Sequence, residues 1–99
     1  MSIAPIDASA SAAIGAGTLD TRGNLREVSG QLSPRDGALV FAALQLGAAI
    51  GKDMGVGNPH AIEIRGKGPR WLAATVRGET AAVIACPPDT DVTEELSRR

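Results

Sequence analysis

The chain has 99 residues, which suits a single domain with one modest core. It is 43% hydrophobic and 21% charged, with a formal charge of −1 at pH 7; this lacks the basic excess of a nucleic-acid-binding domain and gives no electrostatic membrane anchor. A single cysteine, Cys86, excludes an internal disulfide, and no apolar run approaches the roughly 20 residues that a membrane-spanning helix needs.

The opening, "MSIAPIDASASAAIGAG", has no basic n-region of a signal peptide and does not begin Met-Gly, so secretion and N-myristoylation are not expected. A cytoplasmic protein is the simplest expectation, and nothing here inserts directly into a membrane. Residues 1–11 are rich in Ser and Ala and are expected to be a flexible N-terminal segment. Ala12 to Leu19 and Leu25 to Ser29 then read as two strands of a hairpin. "DTRGN" between them is a turn, with Gly23 placed for positive φ.

"LSPRD" marks a helix start. Ser33 is a favoured N-cap, Pro34 occupies the first helical position, and Asp36 has both the capping-box position and the right charge for a helix N-terminus. The helix is expected over Pro34 to Lys52, ending at "GVGNP". In "HAIEIR", Ile62 and Ile64 alternate with Glu63 and Arg65, the pattern of a half-buried strand. "RWLAATVR" puts Leu72, Ala74 and Val76 on one face and Trp71, Ala73 and Thr75 on the other. "TAAVIAC" is almost wholly apolar, as a central strand is, and Pro87 and Pro88 end it. The remainder, 87–99, reads as a polar tail, either one short helical turn or loose. Short turns make neighbouring strands antiparallel, so the expected fold is α+β, a five-stranded antiparallel sheet with one main helix packed on it. Phe41 and Trp71 are the only aromatic residues, so Ala, Val, Ile and Leu must build the core.

Candidate chemistry is sparse. "GAAIGKD" superficially resembles a phosphate-binding loop. Only three residues separate Gly47 from Gly51, however, Asp53 stands where a hydroxyl is needed, and the stretch lies within a helix. His60 has no metal-ligand neighbours at useful spacing. Cys86 at a strand end reads as a small buried hydrophobe, and no third group orients a Cys–His pair. Lys67 and Arg70 in "GKGPR" read as a solvated hairpin tip. No catalytic residue, cofactor-binding residue or metal ligand is assigned, and the chain is expected to be no enzyme.

The main helix is more informative. On a wheel, Leu39, Ala43, Leu46, Ile50 and Met54 form one apolar arc, suited to covering the sheet. Val40, Leu44, Gly47 and Gly51 form an adjacent apolar arc, while Arg35, Gln45, Lys52 and Asp53 mark the solvent side. A helix lying on one sheet needs an apolar stripe of only about 100°. The surplus suggests either a second partner or a helix covered by other parts of its own chain. With a partner, Gly47 and Gly51 would allow close backbone approach.

The runs "GAGTLDTRGNLREVSGQLSPRDGALVFAALQLGAAIG" and "HAIEIRGKGPRWLAATVRGETAAVIAC" together resemble a roadblock/LC7 domain over about residues 12–86. The resemblance lies in the Asp20–Gly23 turn, the small residues Ser29-Gly30 that end the second strand, the capped helix, and three following strands. It implies a roadblock/longin-like, profilin-like fold. The layout is most like the short roadblock subunits of the Ragulator scaffold, with bacterial and archaeal roadblock proteins that regulate Ras-like GTPases a close second. The chain departs from longer members in lacking an amphipathic first helix and in its short polar end.

The resemblance further implies a homodimer, or a heterodimer with a paralogous roadblock subunit, serving as a platform for a Ras-like small GTPase or a larger signalling scaffold. Any nucleotide would be held by that GTPase, and recruitment to an endomembrane surface would come through partners. Carried over, the dimer contacts are Val40, Leu44, Gly47 and Gly51 on the helix, with Ala61, Ile62, Glu63, Ile64 and Arg65 on the edge strand. The alternative from another class is a stand-alone profilin-like or PAS-like module holding a small ligand between helix and sheet.

Overall fold

A computed structural model describes residues 12–99. Its elements are β1 (Gly15–Leu19), β2 (Leu25–Gly30), α1 (Pro34–Asp53), β3 (Ala61–Ile64), β4 (Trp71–Arg77), β5 (Thr80–Cys86) and a short α2 (Val92–Ser97). The strands form one antiparallel sheet in the order β2-β1-β5-β4-β3. The expected flexible segment 1–11 lies outside the described residues.

Local chemistry fixes the turns. The Asp20 carboxylate accepts hydrogen bonds from the backbone N–H groups of Arg22 and Asn24, both at 2.9 Å, and its carbonyl accepts one from Gly23 N–H at 3.1 Å. Gly23 has φ +85°, and a Cβ there would meet the Phe41 ring at 2.8 Å, so both backbone and space demand glycine. Helix α1 starts as its sequence dictates. Asp36 N–H donates to the Ser33 hydroxyl, and Ser33 N–H donates to the Asp36 carboxylate at 2.9 Å, closing the capping box behind Pro34. At its other end the chain turns back, and the N–H groups of Val56 and Gly57 both donate to the Gly51 carbonyl, at 2.8 and 3.1 Å.

Strand β5 lies at the centre of the sheet, where its apolar run predicts it. Its two faces serve different helices. Ala81, Val83 and Ala85 join Leu19, Leu32, Ala74 and Val40 in a core beneath α1. Ile84 and Cys86 join Ala73, Val92 and Leu96 on the opposite face. Alanines on β4 and β5 leave room for both covering layers. The segment beyond Cys86 therefore packs down: α2 buries Val92 and Leu96, while its remaining residues carry the polarity seen in the sequence. Buried Glu95 accepts from Ala12 N–H at 3.0 Å and pairs with Arg98 at 3.4 Å, so its charge is matched.

Candidate protein interaction surface

The structure exchanges the two arcs of α1. Val40 is 0% exposed and lies in the core beneath the helix, with Leu44 packed against the same cluster. A Cβ on Gly47 would meet Pro59 of the same chain at 3.1 Å. A Cβ on buried Gly51 would overlap the Gly57 carbonyl oxygen. The helix residues expected to meet a partner, Val40, Leu44, Gly47 and Gly51, thus face their own chain. The wheel shows two neighbouring apolar arcs, but the loop 57–59 decides between them, because it needs the two glycines for its own close approach.

The outward arc holds the residues expected to cover the sheet. Leu39, Leu46, Ile50 and Met54 are all at least half exposed, Leu46 by 63% and Met54 by 71%. Val56, just beyond the helix, is 76% exposed. From Gly37 to Gly51 the helix carries no charged residue. On the wheel, Ile50 and Met54 lie next to Gly47 and Gly51, which face the loop leading into β3; Phe41, on the other flank, meets the β1–β2 turn. The apolar arc therefore opens outward and toward the β3 side of the sheet.

Strand β3 is an edge. Val76 N–H donates to the His60 carbonyl at 2.7 Å, and Ile62 faces Ala74 in the register that follows. By the alternation of an antiparallel ladder, the backbone groups of Ala61 and Glu63 point away from β4, ready for another strand. Ile62 packs on the core beneath α1, and Ile64 is 39% exposed. On the other face, the Glu63 carboxylate accepts from the Thr93 hydroxyl at 2.7 Å and pairs with Arg65, whose guanidinium sits 5.3 Å from the Trp71 ring centre. Thr93 and Arg65 together hold the Glu63 carboxyl below the usual carboxylate range.

The opposite edge is built differently. Between β1 and β2 the register slips, so Gly17 faces both Glu27 and Val28, and Glu27 adopts φ 53°. Such a bulge spoils an edge for further pairing, whereas β3 keeps a regular one.

One contact was invisible to pattern reading. Arg70 reaches from the start of β4 to α1, where its two terminal nitrogens each meet an Asp36 oxygen at 3.0 Å; one of them also donates to the Gln31 carbonyl at 3.0 Å. Arg70 is thus no solvated hairpin tip. Its hydrogen bonds, with those from Ser33, lower the Asp36 carboxyl to about 2.

Other candidates serve structure. Cys86 is buried under α2, and burial pushes its thiol up, away from the reactive thiolate. His60 is exposed at the entrance to β3. Among the described residues, no three His, Cys, Asp or Glu side chains gather into a metal-ligand set, and no helix is long and apolar enough to cross a membrane. Open clefts among the described residues include one of about 270 Å³ beside Ile14 and Gly30 and another of about 130 Å³ beside Phe41 and Leu44.

No protein-family model matches the chain, and no curated protein does. The solved structures are decisive for the fold: this is a roadblock/LC7-type α+β fold. A roadblock/LC7 domain from Streptomyces avermitilis superposes with TM-score 0.73 at 17% identity, covering 87% of this chain and 78% of that one. MglB of Myxococcus xanthus gives TM-score 0.69 at 19% identity, over 87% of this chain and 72% of that one. An MglB with a tetrameric arrangement gives TM-score 0.72 at 17% identity, over 86% and 68%. At such identities the likeness is one of fold.

Proposed function

We propose that this chain is a non-enzymatic roadblock-type subunit that pairs through α1 and β3, the pair serving as a platform for a Ras-like small GTPase. The observation that carries the reading is the continuous uncharged arc of Leu39, Leu46, Ile50 and Met54 beside a regular strand edge left unpaired among the described residues. A lone molecule gains nothing from leaving this much apolar surface in water, and an open edge invites uncontrolled pairing unless a specific mate covers it. Side-by-side joining at β3 covers both at once. The proposed contacts are now Leu39, Leu46, Ile50 and Met54 with strand residues 61–65, replacing Val40, Leu44, Gly47 and Gly51. That one MglB has been solved in a tetrameric arrangement supports assembly on this fold.

The GTPase partner rests on the roadblock resemblance. A ligand-binding module is less well supported. Val40 and Leu44 fill the space between helix and sheet, and the clefts beside Ile14 and beside Phe41 are open and smaller than typical ligand pockets of about 300 Å³ or more. The platform is tested by titrating the purified chain into Ras-like GTPases of its source organism, loaded with GDP or a GTP analogue. Low-micromolar binding with an altered rate of hydrolysis or exchange is the expected result. A well-folded pair that binds none of them in either state would refute the platform.

A further inference from the structure

The ends of the exposed arc carry two charges that suit an isolated helix badly. Arg35 lies in the first turn of α1 and Asp53 in the last. A helix has partial positive charge at its N-terminus and partial negative charge at its C-terminus, so each residue repels the end that holds it. Both are exposed, and neither has an ion-pair partner among the described residues. They lie about five turns of about 3.6 residues apart, hence at the same angle of the wheel, with Leu39, Ala42, Leu46 and Ala49 between them on the same side.

Resting on the pairing proposed above, we infer that Arg35 and Asp53 select a second copy of this same chain as the mate, set antiparallel. Two identical sheets joined edge to edge at β3 by a two-fold axis carry their α1 helices side by side on one face, running in opposite directions. Arg35 then approaches Asp53 of the partner subunit and the negative end of its helix, and the symmetric contact forms a second time. Both unfavourable charges become favourable. The uncharged stretch between them is read identically from either side, so the arc is complementary to itself. A different chain would need the same basic-to-acidic order to match it.

The test uses Arg35→Glu and Asp53→Arg, singly and mixed, with self-association measured by sedimentation equilibrium. Each replacement improves the helix as an isolated element, so circular dichroism should show an intact fold with unchanged or raised thermal stability of the single chain. Each variant alone places like charges opposite one another twice and should associate about tenfold or more weakly than wild type. An equimolar mixture restores opposite charges at both contacts and should recover affinity close to wild type. If wild type pairs while both variants pair equally well, or the mixture recovers nothing, the charge selection is wrong and the pairing reading survives. If wild type stays single yet binds a different roadblock-type chain, self-selection is wrong and the platform survives. If wild type neither pairs nor binds such a chain, both fall.

Discussion

Asp36 does three jobs with one carboxylate. It closes the capping box of α1, sets a negative charge at the helix N-terminus, and receives both terminal nitrogens of Arg70. Its side chain is 8% exposed, so these contacts act in a poorly solvated place. A carboxyl lowered from 3.8 to about 2 contributes about 2 kcal/mol of stability at neutral pH. The contribution is complete above the unfolded value and is lost as pH falls from about 4 to about 2. Asp20, lowered to about 2 by backbone hydrogen bonds from Asn24 and Arg22, adds in the same direction and window. Asp36→Asn should therefore lower stability at pH 7 by about 2 kcal/mol and flatten its fall between pH 4 and 2, as read by denaturant unfolding at each pH. An unchanged pH profile would exclude Asp36 as the group responsible. The glycines of α1 give a second test at this scale. Gly47→Ala should be close to neutral, since helix propensity gains up to about 1 kcal/mol while Pro59 stands only slightly too close. Gly51→Ala should lose about 1–2 kcal/mol in thermal unfolding, because the methyl group must displace the Gly57 carbonyl and the loop bonded around it.

At the scale of elements, α1 has an inside and an outside that substitution can tell apart. Val40→Ala removes packing from a fully buried site and should cost about 2 kcal/mol or more. Leu46→Glu alters a side chain that touches mainly solvent in the single molecule, so unfolding measured on dilute chains should move by no more than about 0.5 kcal/mol. The same Leu46→Glu should abolish pairing, as light scattering after size exclusion would register; persistence of the pair would remove α1 from the interface. The elements themselves were largely legible. Ser33-Pro34 and Asp36 announced the helix, alternating Ile62 and Ile64 announced β3, and the apolar run at β5 announced the centre of the sheet. Which apolar arc faces the sheet was not legible. Both arcs are uncharged, and the deciding contacts are made by Gly57 and Pro59, which pattern reading treats as a terminator. Arg70 was missed because its partner lies 34 positions away in the chain. Helix α2 offers only Val92 and Leu96, four apart in a polar stretch, too little apolar signal to show that it packs down.

For the whole molecule, the two sides of the sheet have unequal roles. One side is closed by α2, with Val92 and Leu96 buried and Thr93 tied to Glu63 of β3. The other side carries α1, whose outer arc continues toward the β3 edge. The opposite edge is bulged at Glu27, so among the described residues β3 is the regular edge that a mate can join. An extended strand can test that place without touching the core. Ala61→Pro removes an N–H that points away from β4 and should weaken pairing while leaving the single-chain fold intact by circular dichroism. Equal pairing in this variant would mean that β3 is not the joint. The most direct measurement is the mass of the wild-type chain in solution, by sedimentation equilibrium across low to high micromolar concentration. The expected mass is that of two copies, falling to that of one in Leu46→Glu. A single-copy mass throughout, for wild type and variant alike, would contradict self-pairing through α1 and β3.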